Sequence, residues 1–183
     1  MLEENEIADG IFVTRNVFSA DECQKFIELS ENTGYDAATI NAFGGAVRRP
    51  DIRNNDRVIL DDELFAEELW QRCKPFLPNV LNGRRALGLN ERLRFYRYEP
   101  GQKFAAHVDG YYRRPNGEQS LLTWMIYLNE DFTGGATKFY GAEVEVKPET
   151  GMMLVFRHAL LHEGAEVTSG RKYVLRSDIM YSL

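Results

Sequence analysis

The strongest constraint on this chain's fold is a change of period near residue 92. Upstream, apolar residues recur at helical spacing. Downstream they alternate in short runs: LRFYRY, KFAAHV, LLTWMIYL, ATKFY, AEVEV, MMLVFRH, HEGAEV and KYVLRSDIMY. The turn-rich pieces EPGQ, RRPNGE, NEDFTGG, KPETG and TSGR separate them. Many short strands divided by such turns point to a sandwich or jelly roll. Before this region, IFVT at 11–14 reads as a strand. Ser19-Ala-Asp-Glu22 has capping-box spacing, so Ser19 is expected to start a helix running to about Glu31. Cys23, Phe26, Ile27 and Leu29 form its apolar stripe, and Gly34 ends the unit. A second helix fits 62–74, with Leu64, Phe65, Leu69, Trp70 and Cys73 on one face and Pro75 as its stop. The expected fold class is α+β: a double-stranded β-helix (jelly-roll) core over 92–183 with N-terminal helices packed outside. Residues 1–91 supply helical and loop support within a single domain.

Composition narrows the function classes. The chain has 183 residues, 22 basic and 28 acidic, for a net charge of −6. That balance argues against a nucleic-acid partner, which more often selects a basic surface. The two cysteines, Cys23 and Cys73, form no CxxC or Cys/His cluster, so neither a zinc finger nor a disulfide framework is expected. The acidic start MLEENEIADG has no signal-peptide pattern, and no apolar run approaches the length that crosses a bilayer. These features lead to the expectation of a cytoplasmic protein with no membrane partner. Oligomeric state is not legible.

The chemistry concentrates in FAAHVDGYY, 104–112, which holds one of only three histidines. Strand alternation puts His107 and Asp109 on one face. Alone, the pair reads better as a polar strand end. Two histidines and one carboxylate, however, make the facial triad of non-haem Fe(II) oxygenases, which leaves positions open for a 2-oxo acid and O2. The second histidine is either His158 or His162. His162 starts a strand after a turn, where a barrel mouth would place a ligand, and Lys172 follows ten residues later. A fixed cation behind a metal suits a dicarboxylate. Lys172, Val174 and Arg176 share one strand face, and basic residues on an inner face are costly unless they meet an anion.

Taken together, the pieces RFYRYEPGQKFAAHVDG, LLTWMIYLNEDFTGGATKF and GMMLVFRHALLHEGAEVTSGRKYVLRSD stand in an order that resembles the prolyl 4-hydroxylase-like family of Fe(II)/2-oxoglutarate dioxygenases. NVFSADECQKFIEL also resembles the helix before that family's core. The resemblance implies His107, Asp109 and His162 as iron ligands. It implies Lys172 for the distal carboxylate of 2-oxoglutarate, Tyr127 bonding the same group with Thr123 assisting, and Tyr98 lining the pocket. Arg171 and Arg176 compete with Lys172 for the cation role, and His158 is assigned to structure or to support of the ligands. The implied cofactors are Fe(II), 2-oxoglutarate as cosubstrate and O2, with ascorbate as a further candidate. The implied reaction hydroxylates a C–H bond of a small-molecule or peptide substrate, peptidyl or free amino acid with proline leading, and releases succinate and CO2.

Phe104 departs from the family pattern, where tyrosine is frequent. Related halogenases replace the carboxylate with a small residue, so Asp109 disfavours halogenation. The stretch 40–58, INAFGGAVRRPDIRNNDRV, carries Arg48, Arg49, Arg53 and Arg57 and reads either as a solvated loop or as a lid. Tyr111 and Tyr112 are expected at the substrate entrance. Two alternatives stand beside the oxygenase reading: a cupin-like metalloenzyme without 2-oxoglutarate, and a non-catalytic binding module on the same barrel.

Overall fold

A computed structural model describes residues 5–42 and 45–183. Ten strands carry the architecture. They are β1 (Ile11–Thr14), β2 (Asp56–Asp61), β3 (Arg92–Tyr98), β4 (Phe104–His107), β5 (Gln119–Tyr127), β6 (Thr137–Phe139), β7 (Val144–Val146), β8 (Met153–Arg157), β9 (His162–Gly164) and β10 (Lys172–Tyr181). The larger sheet runs β1-β8-β5-β10-β3-β2, with short strands Glu6–Ala8 and Asp36–Ala37 at its edges. Arg84–Leu89 adds to the far end of β10. The smaller sheet runs β4-β9-β6-β7. These pairings are antiparallel.

Period-two alternation sorts the larger sheet's side chains onto two faces. Leu93 and Phe95 of β3, Leu122, Trp124 and Ile126 of β5, Met153 and Val155 of β8, and Leu175, Ile179 and Tyr181 of β10 share one apolar cluster. That cluster includes Cys23 of α1 (Ala20–Thr33) and Ala66, Leu69, Trp70 and Cys73 of α2 (Glu63–Cys73). The opposite face contributes Tyr96, Tyr98, Tyr127, Leu154, Phe156 and Val174, which pack with Phe139 and Val146 of the smaller sheet. Lys172, Arg176 and Asp178 lie on this second face by the same alternation, so charged groups enter the space between the sheets.

Both helix starts follow from their caps. The Ser19 hydroxyl accepts from Glu22 N at 3.2 Å while Glu22 Oε2 accepts from Ser19 N at 2.7 Å. Asp62 Oδ1 accepts from Phe65 N at 2.9 Å. Helix α1 ends at Gly34, whose φ of 92° a residue with a Cβ rarely adopts.

The structure differs from the sequence expectation in two places. HEGAEV is not one strand: His162–Gly164 pairs in the smaller sheet, while Val167–Ser169 turns away to pair with Thr133–Gly134. Residues 1–91 are also more than helix and loop. DRVILD, at the end of the arginine-rich stretch, forms β2 against β3. Its charged ends and single fully buried side chain, Val58, hid it from a pattern search. Ile40–Ala42 and Gly45–Val47 pair within the same stretch, and the lid reading falls partly on residues 43–44, outside the described residues. Among the described residues no helix is long and apolar enough to cross a membrane.

Candidate active site

His107 ends β4 and His162 begins β9, and antiparallel pairing sets them directly opposite each other. Asp109 follows two residues after His107, anchored by its own N–H to the His158 carbonyl at 2.9 Å. One ligand atom from each of the three side chains lies within 4.8 Å of the others. The alternative histidine, His158, is not in the cluster. It lies behind it, with Nδ1 2.9 Å from Thr123 Oγ1 and Nε2 3.0 Å from Ser120 Oγ.

The ring orientations make the cluster a cation site. His107 Nδ1 lies 2.8 Å from the Ala105 carbonyl and His162 Nδ1 lies 2.9 Å from the Leu160 carbonyl. A carbonyl only accepts, so each Nδ1 must carry the proton. In the neutral ring that leaves the Nε2 lone pair, and both Nε2 atoms face Asp109, at 3.6 and 3.7 Å. Burial pushes the His162 pKa down to about 4, so this ring is neutral near pH 7. Burial opposes ionisation of Asp109, but the Arg176 guanidinium and the Thr123 hydroxyl hold the carboxyl well below the usual range. A carboxylate and imidazole lone pairs thus converge on one point, which a divalent metal fits.

Packing fixes each ligand. Phe104 stacks on His107 with centroids 3.5 Å apart and planes 15° from parallel. His162 meets Phe156 at 4.5 Å and Phe139 at 5.8 Å. Asp109 Oδ2 accepts from Thr123 Oγ1 at 2.5 Å and lies 2.9 Å from Arg176 Nη2.

A narrow cavity runs from this cluster to Lys172, lined also by Tyr96, Tyr98, Thr137 and Val174. Lys172 is 2% exposed. Its Nζ donates to the Gly135 carbonyl at 2.5 Å and lies 5.3 Å from the ring centroids of both Tyr98 and Tyr127. It has no carboxylate partner among the described residues, and burial alone lowers its pKa to about 7. An isolated buried ammonium is costly unless an anion meets it. The competing cations are already engaged. Arg171 is surface-exposed, 2.6 Å from Glu99. Arg176 pairs with Asp109 at 2.9 Å and Asp178 at 3.5 Å.

Two sequence expectations change in detail. Thr123 does not stand beside Lys172; its hydroxyl is taken by Asp109 and His158, so it supports a metal ligand rather than the distal carboxylate. Although Thr123 and Tyr127 share a strand face, the four-residue step along β5 sets Thr123 against Asp109 and the Tyr127 ring 5.3 Å from Lys172 Nζ. The Tyr127 hydroxyl is shared with Thr137 Oγ1 at 2.6 Å, a partner the sequence reading missed. Tyr96 was missed too, although alternation from Tyr98 points it inward. Burial would raise its pKa, but Arg176, Arg53 and Arg94 pull it down to about 7.

Comparison with known proteins agrees with this geometry. Residues 93–177 match the 2OG-Fe(II) oxygenase superfamily. A prolyl 4-hydroxylase candidate from Acanthamoeba polyphaga mimivirus is 27% identical over 89% of this chain and 71% of its own length. Prolyl 4-hydroxylase 2 from Arabidopsis thaliana is 26% identical over 88% of this chain and 64% of its own length. The chain thus spans less than two thirds of the plant relative. Among solved structures, the viral collagen prolyl hydroxylase of Paramecium Bursaria Chlorella virus-1, in its 2OG complex, has a TM-score of 0.70 at 22% identity, covering 95% of this chain and 98% of that one. A Trichoplax adhaerens prolyl hydroxylase in complex with a hypoxia inducible factor peptide fragment has a TM-score of 0.73 at 17% identity, covering 98% and 87%. These two structures share the fold. The convergent His-Asp-His cluster, the buried cation at the end of its cavity and the matched core together make this chain similar to the prolyl 4-hydroxylase-like 2OG-Fe(II) oxygenases.

Proposed function

We propose that the enzyme hydroxylates a C–H bond of a peptidyl or free amino-acid substrate, with a prolyl residue the leading target. The observation that carries the chemistry is that the His107, Asp109 and His162 cluster shares one cavity with the buried ammonium of Lys172, which has no carboxylate partner among the described residues. The substrate reading is supported by the similarity to prolyl hydroxylases, and by an open cleft of about 560 Å³ that also reaches the cluster.

His107, Asp109 and His162 would hold Fe(II), and Lys172 would meet the distal carboxylate of 2-oxoglutarate. When bound, iron with 2-oxoglutarate and O2 supplies oxidative decarboxylation, turning R–H into R–OH with succinate and CO2 as the other products. The chain's own work is placement. The backbone carbonyls of Ala105 and Leu160 fix the two rings. Thr123 and Arg176 bond one Asp109 oxygen and so set how the carboxylate faces the cluster. Tyr98, Phe104, Met125 and Val174 line the cavity and limit water beside it. The larger sheet, braced by α1 and α2, is read as the rigid platform of one catalytic unit. The buried free thiols Cys23 and Cys73 suit a reducing compartment.

The test has two stages. Protein with Fe(II) and 2-oxoglutarate under argon should show the weak visible absorption of the chelate, and under air it should form succinate. A panel of peptides and free amino acids is then screened for a mass gain of one oxygen. Succinate without oxygen transfer to any member, and with transfer to another class of compound, would overturn the substrate reading.

A further inference from the structure

The cleft outside the ligand cluster is lined by Arg53, Arg57, Arg92, Arg94 and Arg176, against only Asp109 and Asp178 as acids among its described lining residues. Most of these cations already have a counter-charge. Arg92 pairs with Asp61 at 2.8 Å, Arg94 with Asp178 at 3.3 Å, and Arg176 with Asp109 and Asp178. Arg53 and Arg57 have no carboxylate partner among the described residues. Arg57 donates only to the Thr39 hydroxyl, at 3.2 Å.

Arg53 is the more telling of the two. It is 4% exposed, and its guanidinium lies 4.4 Å from the Tyr96 ring centroid and 4.5 Å from that of Phe104. One face of Phe104 cannot carry both this guanidinium and the His107 ring stacked at 3.5 Å, so Phe104 lies between them. The guanidinium is therefore one ring's thickness from a metal ligand. Its Nε donates to Asn55 Oδ1 at 2.7 Å, but Nη2 is buried with no partner. A buried, rigid, planar donor with an unused N–H is built to receive a planar anion. Leaving it unmet costs the desolvation of a charged group.

We propose that Arg53, with Arg57 beside it, is the anchor for a carboxylate of the prime substrate, and that this enzyme selects a carboxylate-bearing amino acid or acidic peptide over a neutral one. This rests on the hydroxylase reading for the reacting C–H bond, but not for the binding it predicts. The carboxylate comes either from an acidic side chain near the target residue or from the α-carboxylate of a free or C-terminal amino acid. The exposed Tyr111 and Tyr112 line the same cleft and give the rest of the substrate an aromatic rim.

The experiment measures binding to protein loaded with Fe(II) and 2-oxoglutarate under argon. The probes are capped peptides Gly-Glu-Pro-Gly and Gly-Gln-Pro-Gly, and N-acetylproline with its amide. Within at least one pair the carboxylate should bind tenfold or more tighter than its amide, and raising salt from 50 to 500 mM should weaken that member alone. The glutamate pair responding assigns a side-chain carboxylate; the proline pair responding assigns an α-carboxylate. In Arg57→Gln the ratio should fall severalfold, and in Arg53→Gln to below twofold. Since Arg53 is packed between rings, Arg53→Lys is the second variant: it keeps charge, loses the fork, and should retain only part of the ratio. Equal binding within both pairs, or a preference untouched in both Arg57→Gln and Arg53→Lys, overturns the proposal. A preference for carboxylate without any succinate under air would leave this anchor standing and remove the hydroxylase reading instead.

Discussion

Arg176 Nη2 sits 2.9 Å from Asp109 Oδ2, between the sheets, so a prospective metal ligand is held by a largely buried guanidinium before any metal arrives. Breaking a buried pair from one side typically costs about 3–5 kcal/mol, because the other charge is left uncompensated. Arg176→Met should therefore lower the melting temperature of the metal-free protein markedly. Mn(II) would supply the missing positive charge at Asp109, so it should raise the variant's melting temperature more than the wild type's. A thermal melt with and without Mn(II) checks both, and an unchanged metal-free melt would show that the pair carries little energy.

Lys172 embodies a trade between stability and function. Its folded pKa of about 7 lies below its unfolded value, so the unfolded chain binds more protons between about 7 and 10.5. In that window stability rises with pH, and below it the full cost of burying the ammonium is present. Lys172→Met should thus melt higher than wild type near pH 7 while its half-saturating 2-oxoglutarate concentration rises tenfold or more. The cosubstrate's carboxylate needs the charged form, so binding above pH 7 should take up a proton. Calorimetry of 2-oxoglutarate binding at pH 8 in buffers of different ionisation heat should show uptake approaching one proton, and less at pH 6. No uptake at pH 8 would mean that another cation meets the carboxylate.

His162 gives a second pH signature of the same sign in a lower window. Its folded pKa of about 4 is depressed by burial from an ordinary value of 6.5. Between these values the unfolded chain holds the extra proton, so stability is full above about 6.5 and falls as the pH drops toward 4. At about 1.4 kcal/mol per unit the metal-free protein should lose on the order of 3 kcal/mol across that range through this group. Urea titrations at pH 7 and pH 5 should show a smaller loss in His162→Gln than in wild type. Equal losses would place the acid sensitivity elsewhere.

How much of this was readable beforehand depends on the kind of signal. Alternation along KYVLRSDIMY put Lys172, Val174 and Arg176 on one face, and the structure turns that face toward the cavity. The Ser19 capping box marks the first helix start because the cap is a local hydrogen bond, whereas the Asp62 cap of the second helix emerges only in the structure. The ligand cluster was legible as residue types and spacing. What bonds to it was not, because Thr123, His158 and Ser120 meet only after β5 pairs with β8. The separation of Thr123 from Lys172 is likewise a matter of distance along a strand, which a shared face does not reveal. Arg53 was visible only as one arginine in a loop. Its burial between Tyr96 and Phe104 comes from a contact between segments about fifty residues apart.

The Thr123 hydroxyl offers the sharpest test of how the ligands are held. It lies 2.5 Å from Asp109 Oδ2 and 2.9 Å from His158 Nδ1, so one O–H joins a ligand to a buried histidine. Partners behind a metal ligand typically contribute about 10–100-fold in affinity, because they fix the ligand's orientation. Thr123→Val keeps the shape and removes the hydroxyl. It should weaken Fe(II) binding by about tenfold, while the 2-oxoglutarate requirement at saturating iron changes little, since Lys172 stands at the far end of the cavity. Thr123→Ser should restore metal affinity, because it returns the donor. Had Thr123 served the distal carboxylate, the variant would instead raise the 2-oxoglutarate requirement and leave iron binding alone. Measuring both titrations on the same two variants separates these outcomes.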